Sequence, residues 1–424
     1  MVNLAIIGAG IGGCSAAYFA HKYLADSKVT VYEREDRVGG RVFTFNTKKM
    51  RSEIGANFFH PINRTICDVL KEMNVKVTKF EEPMDIAVFN GTEIVFKSGQ
   101  SKFFMMLKLL TEYKLNVLKL LVSLREAEGK IGKWYEDERP VEFWELFERV
   151  GLDKWYRMPF DQILVKMGVD RKFIDEIVTP ITRIIYSQNA ELGGFAGLSS
   201  LLSVYGESIY SLGDGNDILP RKLLETSNSK VKIGCKVESI EKTSKGSFRV
   251  SSRENASVFD GVIVAAPLEL ADISLDGVAN QKSQAREYQK IYIKVMKGAV
   301  DSRYFNLDAS TKLPSIILTS KEADPITRFS IKESAGDESW VTVTSTEPIG
   351  NRLLDELFEK GRTILDHTWK AAYPVFKPIP KIPSTCLDTG LVYLNVIESA
   401  ASSLESSAFA ALNSIRTVKE QIES

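Results

Sequence analysis

Near the start of the chain, Gly8-Ala9-Gly10-Ile11-Gly12-Gly13 has the residue types and spacing to hold a phosphate. In such a GxGxxG run, Gly8 permits a tight turn, Gly10 lets backbone approach a pyrophosphate, and Gly13 lets a helix pack closely on a strand. The N–H groups at the positive end of the following helix would face the anion. Glu33, 20 residues beyond Gly13, can accept from both hydroxyls of an adenosine ribose, which favours an unphosphorylated ribose. Arg34 follows, and then Arg37-Val38-Gly39-Gly40-Arg41. A glycine pair is costly in chain entropy and marks backbone brought close to something; the flanking arginines make that something anionic. The chemistry so far is dinucleotide binding, with Gly8, Gly10, Gly13, Glu33, Arg34, Gly39, Gly40 and Arg41 as the residues that would do it.

Other chemistries are poorly supplied. Cys14, Cys67, Cys235 and Cys386 are scattered, with no short spacing for zinc or a disulfide scaffold. The only histidines are His21, His60 and His367, so no protein-ligated metal is expected. Cys14, in the first helical turn, reads as a small buried residue at a tight helix–sheet contact. Lys and Arg number 55, as do Asp and Glu; a nucleic-acid partner usually demands a basic excess, so none is expected.

The elements that must position these residues follow from apolar patterning. LAIIG, IGGCSAAYFAHKYLA and VTVYE form a βαβ unit over residues 1–33. A strand-rich block covers residues 231–268, and LVYLNV runs into a helix from about residue 403 to 422. These pieces share one grammar, so the chain is expected to be α/β, with a discontinuous Rossmann-like cofactor domain over residues 1–70, 205–287 and 385–424. The remainder, 71–204 and 288–384, is expected to be a mixed sheet-plus-helix substrate domain. Within it, residues 98–190 read as helical and 288–350 as strands, and the Pro-rich stretch 373–384 reads as a connector. In the apolar stretch 103–122, Lys108, Glu112, Asn116 and Lys119 share one face at helical spacing, predicting an amphipathic helix whose apolar side packs or lines a channel. No uncharged run is long enough to span a membrane, though peripheral contact stays open. Only Met1-Val2-Asn3 precedes the first strand, so no leader is expected.

The second glycine pair resembles that of FAD enzymes in the amine oxidase and Rab GDP-dissociation-inhibitor superfamily. The resemblance implies FAD, with Val237 contacting the adenine through its backbone and Glu398 binding a ribityl hydroxyl before a small-residue helix start. Residues 53–63 (EIGANFFHPIN), 177–188 (IVTPITRIIYSQ), 213–224 (GDGNDILPRKLL) and 393–411 resemble the prenylcysteine oxidase family in particular, and the likeness runs from about residue 2 to 416. It adds Gly55 and Asn57 to the cofactor-binding set. Asp214 would put an extra charge beside the flavin face, and residues 98–160 match only loosely.

The implied reaction is oxidative cleavage of farnesylcysteine or geranylgeranylcysteine with O2 and water to prenyl aldehyde, cysteine and hydrogen peroxide. Hydride loss from the carbon beside sulfur needs no strong base, because sulfur and the alkene spread the positive charge. Orientation against the cofactor would do most of the work. Arg183, in an otherwise apolar run, is the candidate clamp for the substrate carboxylate, with an internal salt bridge as its other reading. His60, Tyr186 and Gln188 are candidate site-liners. The competing functions are a flavin amine or polyamine oxidase and a non-catalytic prenyl-binding carrier. The resemblance implies a lysosomal or vacuolar setting, and the expected absence of a leader leaves the cytoplasm as the alternative.

Overall fold

The computed structural model describes residues 1–24, 26–79, 85–98, 109–113, 115–206, 209–280, 285–333 and 338–423. Its cofactor-side sheet has six strands in the order Cys386–Asp388, Leu391–Tyr393, Gly261–Val264, Val2–Ile7, Ser27–Tyr32 and Lys230–Lys232. All pair in parallel except the edge strand Cys386–Asp388. Strands from three distant parts of the chain are therefore neighbours, and each central strand is a short run of apolar residues buried on both faces, as a covered parallel sheet requires.

The helices Ile11–Tyr23 and Leu404–Glu423 pack against one another over this sheet. Close approach depends on small residues: a Cβ on Gly13 would lie 1.8 Å from the Gly8 carbonyl oxygen, and one on Gly12 would lie 3.0 Å from Leu394. A second, four-stranded sheet has the order Ala256–Phe259, Phe248–Ser252, Val237–Lys242 and Ser274–Asp276.

The third sheet has seven strands, ordered Phe358–Pro374, Tyr288–Val300, Ser339–Ser345, Ile326–Glu333, Ile316–Thr319, Ile86–Phe89 and Ile94–Lys97. It is antiparallel except where Ile316–Thr319 meets Ile86–Phe89. The strands at 86–97 and the 17-residue strand Phe358–Pro374 extend beyond the block expected to be strands. Local patterning hid the long strand because its first half is exposed on alternate and adjacent positions alike. One face of this sheet covers an aromatic cluster of Phe89, Phe305 and Phe329. Its other face, through Ile291, Ile293 and Val295, packs on Met50 and Ile54 from the cofactor side. Each of these buried aliphatic side chains contributes about 1.5–3 kcal/mol, so the junction between the two sheets is a firm one.

Helices fill residues 115–202. The helix Leu115–Gly132 departs from its expected orientation. Asn116 is buried and donates to Asp170 at 2.7 Å, while Leu115, Leu118 and Val122 are 64%, 48% and 69% exposed. The buried stripe runs through Asn116, Val117, Leu124 and Ala127, so tertiary contacts with the 168–170 loop turned the helix away from the face its polar residues suggested. Residues 103–108 of that stretch lie outside the described residues. No described helix is long and apolar enough to cross a membrane.

Candidate cofactor and substrate site

The cradle begins where Val2–Ile7 ends. Gly8 takes φ +104°, a left-handed value open to glycine, and its N–H donates to the Tyr32 carbonyl at 2.7 Å. No acidic residue or side-chain cap occupies the first turn of Ile11–Tyr23, and the amides there have no intrahelical acceptor. That leaves donors and a positive helix end aimed at an anion.

The second glycine turn touches the first. The Gly39 N–H donates to the Ala9 carbonyl at 2.8 Å, and a Cβ on Gly40 would lie 3.1 Å from the Gly10 Cα. Gly39 and Gly40 both have positive φ, at +105° and +53°. The two arginines of this segment part company. Arg37 folds back, donating from Nη2 to the Gly40 carbonyl at 2.6 Å and stacking 4.8 Å over the Phe43 ring. Arg41 turns inward to the Glu398 carboxylate and donates to the Ala372 carbonyl at 3.2 Å.

Glu33 is 7% exposed, and its two oxygens accept from the Ala9 and Glu35 amides at 2.7 and 2.9 Å. A carboxylate has roughly four acceptor positions, so about two remain for ribose hydroxyls. Arg34 is half-exposed and donates to the Leu270 carbonyl at 2.9 Å, away from the cradle. Cys235 and Gly234 donate their amides to the Glu33 and Glu35 carbonyls, which brings buried Val237 to the ribose end. Cys14 is fully buried and donates to the Ala9 carbonyl; burial, with Glu33 nearby, pushes its thiol pKa far up, so it packs rather than reacts.

Glu398 stands at the other end, 1% exposed, accepting from Arg41 and from the Tyr288 hydroxyl at 2.9 Å. Behind it, Arg286 pairs with Glu269 at 2.6 Å and donates to the Tyr393 hydroxyl. The Asn395 Oδ1, one turn before Glu398, is buried without a partner among the described residues, an acceptor open to a hydroxyl. The loop 53–60 borders this end. A Cβ on Gly55 would lie 2.1 Å from the Arg41 carbonyl oxygen, so only glycine lets the loop cross there. Asn216 holds the loop, donating to the Ala56 and Asn57 carbonyls at 2.9 and 2.8 Å, while its amide N–H donates to Glu53 at 3.0 Å. Burial pushes the Glu53 carboxyl up to about 7. Asp214, expected beside the flavin face, is exposed on the turn before Asn216.

The candidates for the substrate head and walls are placed differently from the expectation. Arg183 is 2% exposed and spends its donors within the protein: Thr319 Oγ1 at 3.2 Å, Asn189 Oδ1 at 2.8 Å, Asp324 Oδ1 at 2.7 Å and the Ile326 carbonyl at 2.8 Å. It ties the helix Thr179–Tyr186 to the large sheet, so its salt-bridge reading replaces the clamp. Gln188 is likewise spent on backbone, donating to the Pro374 carbonyl and accepting from the Phe376 amide, both at 2.9 Å. Tyr186 is buried against the rings of Tyr373 and Phe376, with centroids 5.3 and 4.7 Å away. His60 lies apart from these, lining a cavity of about 170 Å³ with Arg64, Glu128 and Tyr135. Its Nδ1 accepts from the Ile62 amide, and burial lowers its pKa.

Two residues near the junction escaped the sequence. Tyr373 is partly exposed and lies within electrostatic reach of both Arg41 and Arg328. Arg328, on Ile326–Glu333, donates to Thr344 Oγ1 at 3.3 Å. With the Asn57 amide turned to suit both neighbours, Arg328 Nη1 donates to its oxygen at 2.9 Å and Asn57 donates to the Glu53 carbonyl at 2.7 Å. In ITRFSIKE, Arg328 alternates with apolar residues and reads as an ordinary solvent-facing strand position.

The residues present fit FAD: two abutting glycine turns for a pyrophosphate, Glu33 with acceptor capacity for a ribose, and Glu398 with the unpartnered Asn395 oxygen for a ribityl chain. The fold defines the class first. The chain superposes on a cyclohexylamine oxidase from Brevibacterium oxydans with a TM-score of 0.68 at 13% identity, covering 100% of each chain. A double mutant of putrescine oxidase gives 0.66 at 15% identity, covering 100% of this chain and 99% of that one. Residues 6–73 match the NAD(P)-binding Rossmann-like domain and residues 96–424 match the prenylcysteine lyase family. The chain belongs to the prenylcysteine lyase family. It is 28% identical to the farnesylcysteine lyase of Arabidopsis thaliana, over 98% of this chain and 88% of that protein. It is 27% identical to prenylcysteine oxidase 1 of Homo sapiens, over 97% and 87%.

Proposed function

We propose that the protein is an FAD-dependent oxidase that cleaves S-prenyl-L-cysteine, farnesyl or geranylgeranyl, with O2 and water. The family match across residues 96–424, which include the whole junction side of the large sheet, carries this reading. Bound FAD supplies the two-electron acceptor. Glu33 would hold its adenosine ribose, Glu398 its ribityl chain and the glycine turns its phosphates. The rest falls to positioning. Tyr373 and Tyr288 offer aromatic surface beside Arg41 and Glu398, and burial raises both phenols, so neither ionises near neutrality. His60 faces a separate cavity, while His367 lies on the junction face, paired with Ile293 and packed on Phe43 and Trp369. A thioether asks neither imidazole to act as a base, because loss of hydride from the carbon beside sulfur needs no prior deprotonation. Water then adds to that carbon, the C–S bond breaks, and the products are prenyl aldehyde and cysteine, with O2 reduced to hydrogen peroxide. For the compartment we propose the lysosome or vacuole, which fractionation of the source cells would check.

The deciding experiment is aerobic incubation of the FAD-loaded enzyme with farnesylcysteine. Aldehyde, cysteine and peroxide should appear in equal amounts. Turnover of putrescine or cyclohexylamine with none of farnesylcysteine would overturn the reading in favour of an amine oxidase.

A further inference from the structure

Of the arginines around the junction, Arg41 has Glu398, Arg183 has Asp324 and Arg286 has Glu269, while Arg37 lies over Phe43 and donates to backbone carbonyls. Arg328 has no carboxylate among the described residues, and its Nε is buried without an acceptor. A guanidinium stays protonated in proteins, so the half-buried Arg328 keeps its charge. An uncompensated interior charge is expensive unless something brought in from outside neutralises it.

The position of Arg328 says what that something touches. Arg328 and Ile293 both pair with Thr344 from opposite sides, so the three side chains share one face of the large sheet. Ile293 packs on Met50 and Ile54, and Arg328 itself reaches Asn57 of the loop that borders the flavin end. The anionic part of FAD belongs to the glycine turns, where Arg41 follows them in sequence, and an oxidised isoalloxazine is uncharged. Hydride uptake would make the flavin anionic in turn, so the anion that arrives before reaction is the α-carboxylate of the substrate.

We propose that Arg328 receives the α-carboxylate of the amino-acid head, through the planar fork that a guanidinium presents to a carboxylate. This rests on the S-prenylcysteine reading and deepens it: it makes the free carboxyl a requirement, so the enzyme selects prenylcysteine over a prenylated cysteine that is still esterified at its C-terminus.

The test compares S-farnesylcysteine with its methyl ester on the FAD-loaded enzyme and on Arg328→Met and Arg328→Lys. Loss of a charge-assisted pair predicts a KM for the acid raised about 10- to 100-fold in Arg328→Met, with the ester unchanged, flavin content and absorbance normal, and partial recovery in Arg328→Lys. Calorimetric binding of S-dodecylcysteine and its methyl ester supplies a second readout, in which the acid loses affinity by the same factor. Equal loss for acid and ester, or an altered flavin spectrum with unchanged KM, overturns the clamp. Should Arg328→Met not fold, equal affinity of the unmodified enzyme for acid and ester overturns it as well. Failure of the thioether chemistry looks different: no turnover of either compound, while the calorimetric acid–ester difference still reports on Arg328.

Discussion

In the cofactor half of the molecule, charges close on one another. Glu33 is met by two backbone amides, Glu398 by Arg41 and Tyr288, and Glu269 by Arg286. In the large sheet, Arg183 is closed in the same way by Asp324, but Arg328, on the strand that also supplies the Ile326 carbonyl to Arg183, has no carboxylate among the described residues. Both are guanidinium groups on the large sheet's side of the molecule, Arg183 2% exposed and Arg328 half-buried, and they differ in whether the protein supplies the counter-charge. A closed pair stabilises the fold; an open one is kept for a ligand at some cost in stability. The cofactor half is also built by backbone contact, where glycines admit no side chain, whereas the part around the large sheet is tied by side chains from segments more than a hundred residues apart.

The strongest way to break this comparison is at a glycine. Gly13→Ala and Gly55→Ala would each drive a Cβ into a carbonyl oxygen, at 1.8 and 2.1 Å. Backbone displacement of that size should cost on the order of 4 kcal/mol, and the expected result is protein purified without flavin, read from its absorbance. Next comes the arginine pair. Arg183→Met should lower stability by about 3 kcal/mol in urea unfolding, because Thr319, Asn189 and the Ile326 carbonyl lose their donor, while the KM of the folded enzyme stays put. Arg328→Met should show the reverse pattern, with unfolding unchanged or shifted to higher urea. Two equally destabilised variants would erase the distinction drawn here.

Glu33→Ala tests the cofactor half more gently. Removing a charged acceptor should weaken FAD retention by about 1.5–3 kcal/mol, measured by flavin release on dilution. Full occupancy near the native dissociation constant would remove Glu33 from the ribose site. The smallest effect concerns Glu53. Burial pushes its carboxyl up to about 7, so the folded protein holds a proton that the unfolded chain releases at lower pH. Its contribution therefore falls as pH rises from the ordinary carboxylate range toward 7. Glu53→Gln keeps an acceptor for the Asn216 amide and offers an N–H to Thr44 Oγ1, and it should flatten the stability profile, by about 1 kcal/mol between pH 5 and pH 7 after allowing for partial exposure. An unchanged slope would show that Glu53 titrates normally.

Much of the fold class was legible because its signals are local. A strand, a glycine turn and a small-residue helix lie within the first 23 residues, and steric exclusion at Gly13 acts against the Gly8 carbonyl, a few residues away. The second glycine turn and Glu398 were legible as pieces, and the structure brings Arg41 and Glu398 into contact across 357 positions. The exposed Leu115, Leu118 and Val122 and the long strand Phe358–Pro374 were not, because each depends on a neighbour that local patterning does not name.

The two arginines mark the boundary most sharply. By itself the sequence determined that a dinucleotide cradle exists, that few groups could act as bases, and that an arginine in an apolar run must be balanced by something. Which arginine faces inward unpaired was decided by tertiary structure. Arg183 finds Asp324 across 141 positions, while Arg328, in a run that alternates like a wet strand, is turned by its register with Thr344 onto the junction face. Pairing of a charge is a property of the folded neighbourhood, set by strand register and loop crossing, and no spacing along the chain encodes it.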